Sequence, residues 1–126
     1  RCLHTGLDSD QAARRHGLGE LWAKVLGELA HDWQVDELAR LAHLSPTHFH
    51  RLIKKHYGIG PLAYVRRLRL ERARELLANT DYTLEFIAEL VGYRTPYALA
   101  KVFKREIGRT PGQYRVAQRA SRGCNT

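Results

Sequence analysis

Twice in this chain, fifty residues apart, one pattern recurs: a hydroxyl residue, a proline, a basic amphipathic stretch, a glycine, then another proline. Ser45, Pro46, Phe49, Arg51, Ile53, Lys54, Gly58, Pro61 and Tyr64 fall on Thr95, Pro96, Leu99, Lys101, Phe103, Lys104, Gly108, Pro111 and Tyr114. Upstream the offset shortens to forty-nine, so that Leu38, Ala39, Leu41 and Ala42 fall on Ile87, Ala88, Leu90 and Val91. One extra residue, near Arg94, sits in the second copy's turn. The repeated unit reads as helix, short turn, basic helix, glycine and a proline-initiated helix, which is a duplicated helix-turn-helix pattern. The expected fold is all-α, with two such subdomains joined by a long connector helix and about seven helices in total.

The first copy shows why these residues suit the pattern. Ser45 is a good N-cap, and Pro46 fits the first helical position, where its missing N–H costs nothing. Phe49, Leu52 and Ile53 recur at i, i+3 and i+4 and define a buried stripe. At about 100° per residue, Thr47, His50, Arg51 and Lys54 share the opposite side. Arg, Lys, His and Thr presented together suit the base edges and phosphates of DNA. A single helix of this kind also reads as a plain surface helix with a solvated basic face. Chance would not repeat the caps, the terminal glycine, the proline and the basic face together.

Charge points the same way. The net charge is +8, from 21 Lys and Arg against 13 Asp and Glu. Residues 1–40 hold 5 basic and 7 acidic side chains, or −2, and residues 41–126 hold 16 and 6, or +10. The positive charge thus belongs to the repeat, the electrostatic footprint of a nucleic-acid binder. No run of about 18 apolar residues offers a membrane span, so no membrane partner is expected. Cys2 and Cys124 form no CxxC or zinc spacing, and free thiols in a reducing cytoplasm are the expectation. His48 and His50 point about 200° apart on a helix, and His43 and His56 lie beyond its core, so no metal site is expected. The chain shows no reactive cysteine beside a base, no clustered carboxylates and no Gly-rich phosphate loop; neither an enzyme nor a cofactor is expected.

In chain order, residues 1–16 lack a clear period and read as a linker or frayed segment. A packing helix is expected over 18–31, with Leu21, Trp22, Val25, Leu26 and Leu29 on one face. The supporting helix of the first copy spans 35–42, His43 and Leu44 make the turn, and the candidate recognition helix spans 45–57. Pro61 opens the connector over 61–79, roughly 27 Å long, close to the about 34 Å of one DNA turn. Its arginines pair with Glu71 and Glu75 or meet phosphate. Thr83 caps the second supporting helix, 84–91, and Thr95 caps the second recognition helix, which ends near Ile107. Thr110 and Pro111 begin a short final helix through Arg115. The expected domain spans 17–116, as subdomain one (17–60), connector (61–79) and subdomain two (80–116), with a flexible tail at 117–126.

The runs EFIAELVGY at 85–93, KVFKREIGRTPGQYR at 101–115 and HLSPTHFHRLIKKHYGIGPLAYV at 43–65 resemble the AraC/XylS family of bacterial transcription regulators. The resemblance implies two recognition helices in neighbouring major grooves on one face of double-stranded DNA. By position in the family pattern, Thr47, His50 and Arg51 are implied as base contacts of the first motif, and Pro96, Tyr97, Ala100 and Lys101 as those of the second. Phosphate contacts are expected from Lys54, Lys55, Arg94, Lys104 and Arg105, and from the helix starts at Ser45 and Thr95. Pro96 and Ala100 depart from the pattern, since neither offers a side-chain hydrogen bond, and Lys101 stands where arginine is common. The second motif is therefore expected to serve phosphate affinity more than sequence choice. Family members usually carry a sensing domain ahead of this region. The expectation is the C-terminal part of an effector-responsive regulator acting on the nucleoid; the alternative is a stand-alone activator that also docks RNA polymerase.

Overall fold

The recurring caps expected from the sequence organise the fold. In the computed structural model, which describes residues 18–124, seven helices follow one another: α1 (Leu18–Gly27), α2 (Val35–Leu41), α3 (Pro46–Tyr57), α4 (Pro61–Asn79), α5 (Leu84–Val91), α6 (Pro96–Ile107) and α7 (Pro111–Cys124). The expected segment 1–16 and Cys2, the side chain of Cys124, and the last two residues lie outside what is described. The chain divides into two compact units between Arg67 and Leu68.

In the first unit, α2 packs on α3. Leu38, Ala39 and Ala42 are buried on the α2 side, and Phe49, Leu52 and Ile53 on α3. Ser45 accepts a hydrogen bond from the His48 N–H at 3.2 Å, freeing α3 of one orphan donor. Gly58 ends the helix at φ 79°, its N–H on the Lys54 carbonyl. The α2–α3 turn passes through His43 at φ 61°, the one non-glycine residue with positive φ among those described. Trp22 contacts Tyr64 at 4.6 Å between ring centroids, and Tyr64 contacts Tyr57 at 4.4 Å. Burial, helped by Tyr57, raises the Tyr64 pKa against the lowering effect of Arg67.

The expected first helix is shorter than its apolar period suggested. It ends at Gly27, where a residue costly inside helices meets a turn closed by Glu28 N–H to Val25 C=O and His31 N–H to Glu28 C=O. Leu26 is 53% exposed rather than on the buried face, whereas Leu29 is buried from the turn. The Trp33 indole N–H holds that turn by donating to the Glu28 carbonyl at 2.9 Å.

The second unit repeats the frame. Helix α5 packs on α6, and α6 on α7. Leu70, Ala73, Leu77, Ile87, Ala88, Val91, Leu99 and Phe103 form its buried core. Thr83 and Thr95 cap α5 and α6 by accepting from the Phe86 and Ala98 N–H groups at 3.1 and 3.0 Å. Thr110 and Gln113 cap each other reciprocally at the start of α7.

The long connector helix expected over 61–79 is α4, a single continuous helix, with its first seven residues, 61–67, in the first unit and 68–79 in the second. Pro61 and Val65 are buried in one core and Leu70, Ala73 and Leu77 in the other, which is why its apolar stripe looked broken in sequence. The expected flexible tail is helical as far as Cys124. Arg115 donates to the carbonyls of Leu77 and Tyr82 at 3.0 and 2.7 Å. Arg119 donates to the Thr80 carbonyl at 2.6 Å and pairs with Asp81 at 2.8 Å. These bonds tie the last helix to the carbonyls left over where α4 ends.

Candidate nucleic-acid interface

Each recognition helix buries one stripe and turns the other outward. On α3 the outward residues Thr47, His50, Arg51, Lys54 and Lys55 are all exposed. With Val35 and Pro46 they line an open hollow of about 680 Å³. On α6 Tyr97, Ala100, Lys101, Lys104 and Arg105 line a second hollow of about 450 Å³ together with Thr110. The five pairs Thr47/Tyr97, His50/Ala100, Arg51/Lys101, Lys54/Lys104 and Lys55/Arg105 all stand at the fifty-residue offset. The fold thus brings the same five positions to the same face in each unit.

The remaining candidates sit at the edges of these faces. Ser45, Arg94 and Thr95 are exposed and Pro96 is half-buried, and none of the four is part of either lining. Ser45 and Thr95 cap the starts of α3 and α6, where backbone N–H groups and the positive dipole end favour an anion. Arg94 occupies the extra turn position beside Thr95. Val35 and Thr110 were missed in sequence as lining residues. Val35 comes from the neighbouring helix, while Thr110 was legible with Pro111 as a helix start but not as a wall of the second hollow.

Electrostatics separate free charge from internal charge. Lys54, Lys55 and His56 close α3, and Lys104 and Arg105 close α6, where cations also complement the helix dipole. Arg105 pairs with Glu106 at 3.3 Å in an exposed geometry. Among the connector arginines, Arg72 pairs with Glu75 and Arg74 with Glu71. Arg74 also donates to the Tyr114 hydroxyl, and that bond raises the arginine's pKa further. For these two arginines the structure favours internal pairing over phosphate. The His50 Nε2 lies 3.2 Å from where a Cβ on Gly60 would stand, so the absent side chain at Gly60 leaves the imidazole its room. Among the described residues, no group of three or more His, Cys, Asp or Glu side chains is placed to hold a metal ion. No described helix is long and apolar enough to cross a membrane.

A family profile described as a helix-turn-helix domain matches residues 38–117. With the duplicated motif and the seven-helix fold, this places the chain in the AraC family of helix-turn-helix DNA-binding domains. Among individual relatives, it is 38% identical over 98 residues to the RCS-specific HTH-type transcriptional activator RclR of Escherichia coli (strain K12), covering 78% of this chain and 34% of RclR. It is 41% identical over 86 residues to a putative AraC-like transcription regulator of Streptomyces antibioticus, covering 68% of this chain and 28% of that protein. The chain therefore spans about a third of the length of the curated relatives it matches. Among solved structures, the DNA-binding domain of AdpA, a global transcriptional factor crystallised with a target DNA, superimposes with a TM-score of 0.76 at 34% identity. That match covers 83% of this chain and 95% of AdpA's.

Proposed function

We propose that this chain binds double-stranded DNA sequence-specifically and regulates transcription in the bacterial cytoplasm, with α3 and α6 each in a major groove and the two grooves adjacent. The observation that carries this reading is the pair of outward faces, matched position for position and basic in both units. Support also comes from the relatives, which are named as transcriptional regulators, and from AdpA, whose homologous domain was crystallised on its target. On α3, Arg51 presents five N–H donors in a fork that fits guanine O6 and N7. Thr47 and His50 read neighbouring base edges. Lys54, Lys55, Lys104, Arg105 and Arg94 neutralise phosphates, and the capped starts of α3 and α6 add backbone N–H donors. Pro96, Tyr97, Ala100 and Lys101 face the second groove. The chain works by binding and not by catalysis, and needs no cofactor.

The test is selection of binding sites from a random duplex pool at two salt concentrations. Two elements about one helical turn apart are the expected result. Enrichment of no sequence, with steep salt dependence, would reduce the reading to non-specific electrostatic binding.

An effector-sensing region and contact with RNA polymerase extend the reading to the regulator as a whole. A polymerase-docking role for α1 predicts that Leu26→Asp, an exposed change, abolishes promoter activation and leaves DNA affinity intact. Unchanged activation by that variant would remove α1 from the docking surface.

A further inference from the structure

We infer that α6 chooses its half of the target through the 5-methyl groups of thymines, by apolar contact rather than by hydrogen bonds. The inference rests on the DNA-binding reading above and adds the chemistry of the second element. At the five positions the two units share, α3 offers three polar base-reading candidates: a hydroxyl, an imidazole and a guanidinium. At the same positions α6 offers a phenol ring, a methyl group and an ammonium.

Tyr97 is 74% exposed, the most exposed of the large apolar side chains among the described residues. It stands in the first turn of α6, directly after Pro96. That is the part of a recognition helix that meets base edges. Ala100 lies three residues on, on the same face, and both line the 450 Å³ hollow. Pro96 has no N–H and Ala100 no polar side-chain atom, so only the Tyr97 hydroxyl and the Lys101 ammonium remain to make polar contacts. Lys101 is a mobile point charge without the planar fork that distinguishes guanine.

A ring and a methyl side by side form an apolar surface in a groove where one base alone carries an apolar group. The C5 methyl of thymine is that group, and apolar side chains are its usual partner. Burying one methyl against such a surface corresponds to a preference of about fourfold. Two methyls then give a preference of about sixteenfold, comparable to the lower half of the range for one bidentate arginine.

The test uses this chain and the duplex obtained by selection, with deoxythymidine replaced by deoxyuridine in one element at a time. The replacement removes the methyl and leaves every hydrogen-bonding group in place. In the element facing α6 it is expected to weaken binding about fourfold per methyl contacted, and in the element facing α3 to matter only at a thymine that meets the Thr47 methyl. Tyr97→Phe is expected to keep that sensitivity and Tyr97→Ala to lose it; since the side chain is exposed, both variants fold. Equal affinity for the deoxyuridine duplex, or a second element without thymine, overturns the inference. So does a Tyr97→Phe variant as insensitive as Tyr97→Ala, because the hydroxyl is then the reader. Selection of an ordered two-element site with no methyl effect sinks only this inference, whereas selection of no site at all sinks the DNA-reading proposal beneath it.

Discussion

Helices α3 and α6 are built alike down to their caps, yet what they hold inward and what they show outward differ. Inward, Phe49 and Ile53 of α3 correspond to Leu99 and Phe103 of α6, so the aromatic ring has moved by one helical turn while total volume is nearly kept. All four side chains are fully buried. Outward, the polar set Thr47, His50 and Arg51 corresponds to Tyr97, Ala100 and Lys101. The helices that follow diverge as well. Tyr64 packs in tilted contact with Tyr57 and Trp22, whereas its counterpart Tyr114 meets Phe103 edge-on at 5.5 Å and carries Arg74 over its ring. A duplicated frame constrains caps, turns and core volume, and leaves the exposed face of each copy at liberty to take a different chemistry.

The largest effect should come from breaking one core. Phe49→Ala is expected to cost about 3–5 kcal/mol, because the cavity it leaves cannot fully collapse. Both tryptophans, Trp22 and Trp33, lie in the first unit, so their fluorescence in a urea titration reports that unit's unfolding. The sharper version imports the second unit's arrangement into the first. Ile53→Phe alone overpacks the core, at about 1–3 kcal/mol, whereas the double variant Phe49→Leu with Ile53→Phe conserves volume and should cost less than about 1.5 kcal/mol. A double variant no better than the sum of its parts would show that the two cores are not interchangeable. Next in size is Arg51→Ala, expected to lose about 1–3 kcal/mol of discrimination at one base pair. Lys104→Ala should weaken all sequences alike and lower the salt slope by about one unit. Repeating the site selection with each variant separates the two behaviours; an unchanged preferred site for Arg51→Ala would remove it from the reading set.

These contrasts were legible in sequence wherever the determinant is local. The caps at Ser45, Thr83 and Thr95, the terminal glycines and the stripes Phe49–Leu52–Ile53 and Leu99–Phe103 depend on residues within one or two turns of each other, and the repeat displays them twice. The outward positions followed from the same wheel. What escaped depends on distant partners. Residues 117–124 are polar and offer no strong period, and their helix is tied down by arginines reaching carbonyls more than thirty residues away. The broken stripe of α4 is intelligible only once its two halves are assigned to two cores. Leu26 had the right spacing for burial, yet α1 ends one residue later and leaves it in solvent. Val35 and Thr110 join the hollows from neighbouring elements, which a single helical wheel does not include.

The turns test the comparison at a smaller scale. His43 and Gly92 are equivalent, and both adopt positive φ, at 61° and 101°. Both turns close with the same long bond, Leu44 N–H to Ala39 C=O and Tyr93 N–H to Ala88 C=O. The first copy therefore carries a side chain where the second uses the residue that fits without strain. His43→Gly should stabilise the first unit by up to about 1 kcal/mol, and Gly92→Ala should destabilise the second by about 1 kcal/mol. Loss of stability in His43→Gly would mean that the histidine side chain makes a compensating contact.

The smallest expected effect concerns Arg119, whose counterpart at the fifty-residue offset is Arg69. Arg69 lies 5.9 Å from the Tyr93 ring centroid. Arg119 instead bridges to the Thr80 carbonyl and the Asp81 carboxylate. Its partner Asp81 is 90% exposed and Arg119 itself 44%, so solvent screens the ion pair and the pair alone is worth about 0–1 kcal/mol. The carbonyl bond is the sturdier half, because it occupies an acceptor that the end of α4 leaves unpaired. Asp81→Asn should therefore change stability by a few tenths of a kcal/mol, and Arg119→Ala by up to about 1 kcal/mol. Amide hydrogen exchange is the measurement that resolves so small a change. Arg119→Ala should speed exchange in the last turns of α7 and leave α6 untouched, whereas Arg115→Ala, which removes two carbonyl bonds from a half-buried position, should speed exchange along the whole of α7. Equal protection in Arg119→Ala and the parent would mean that Arg115 alone anchors the last helix to the end of α4.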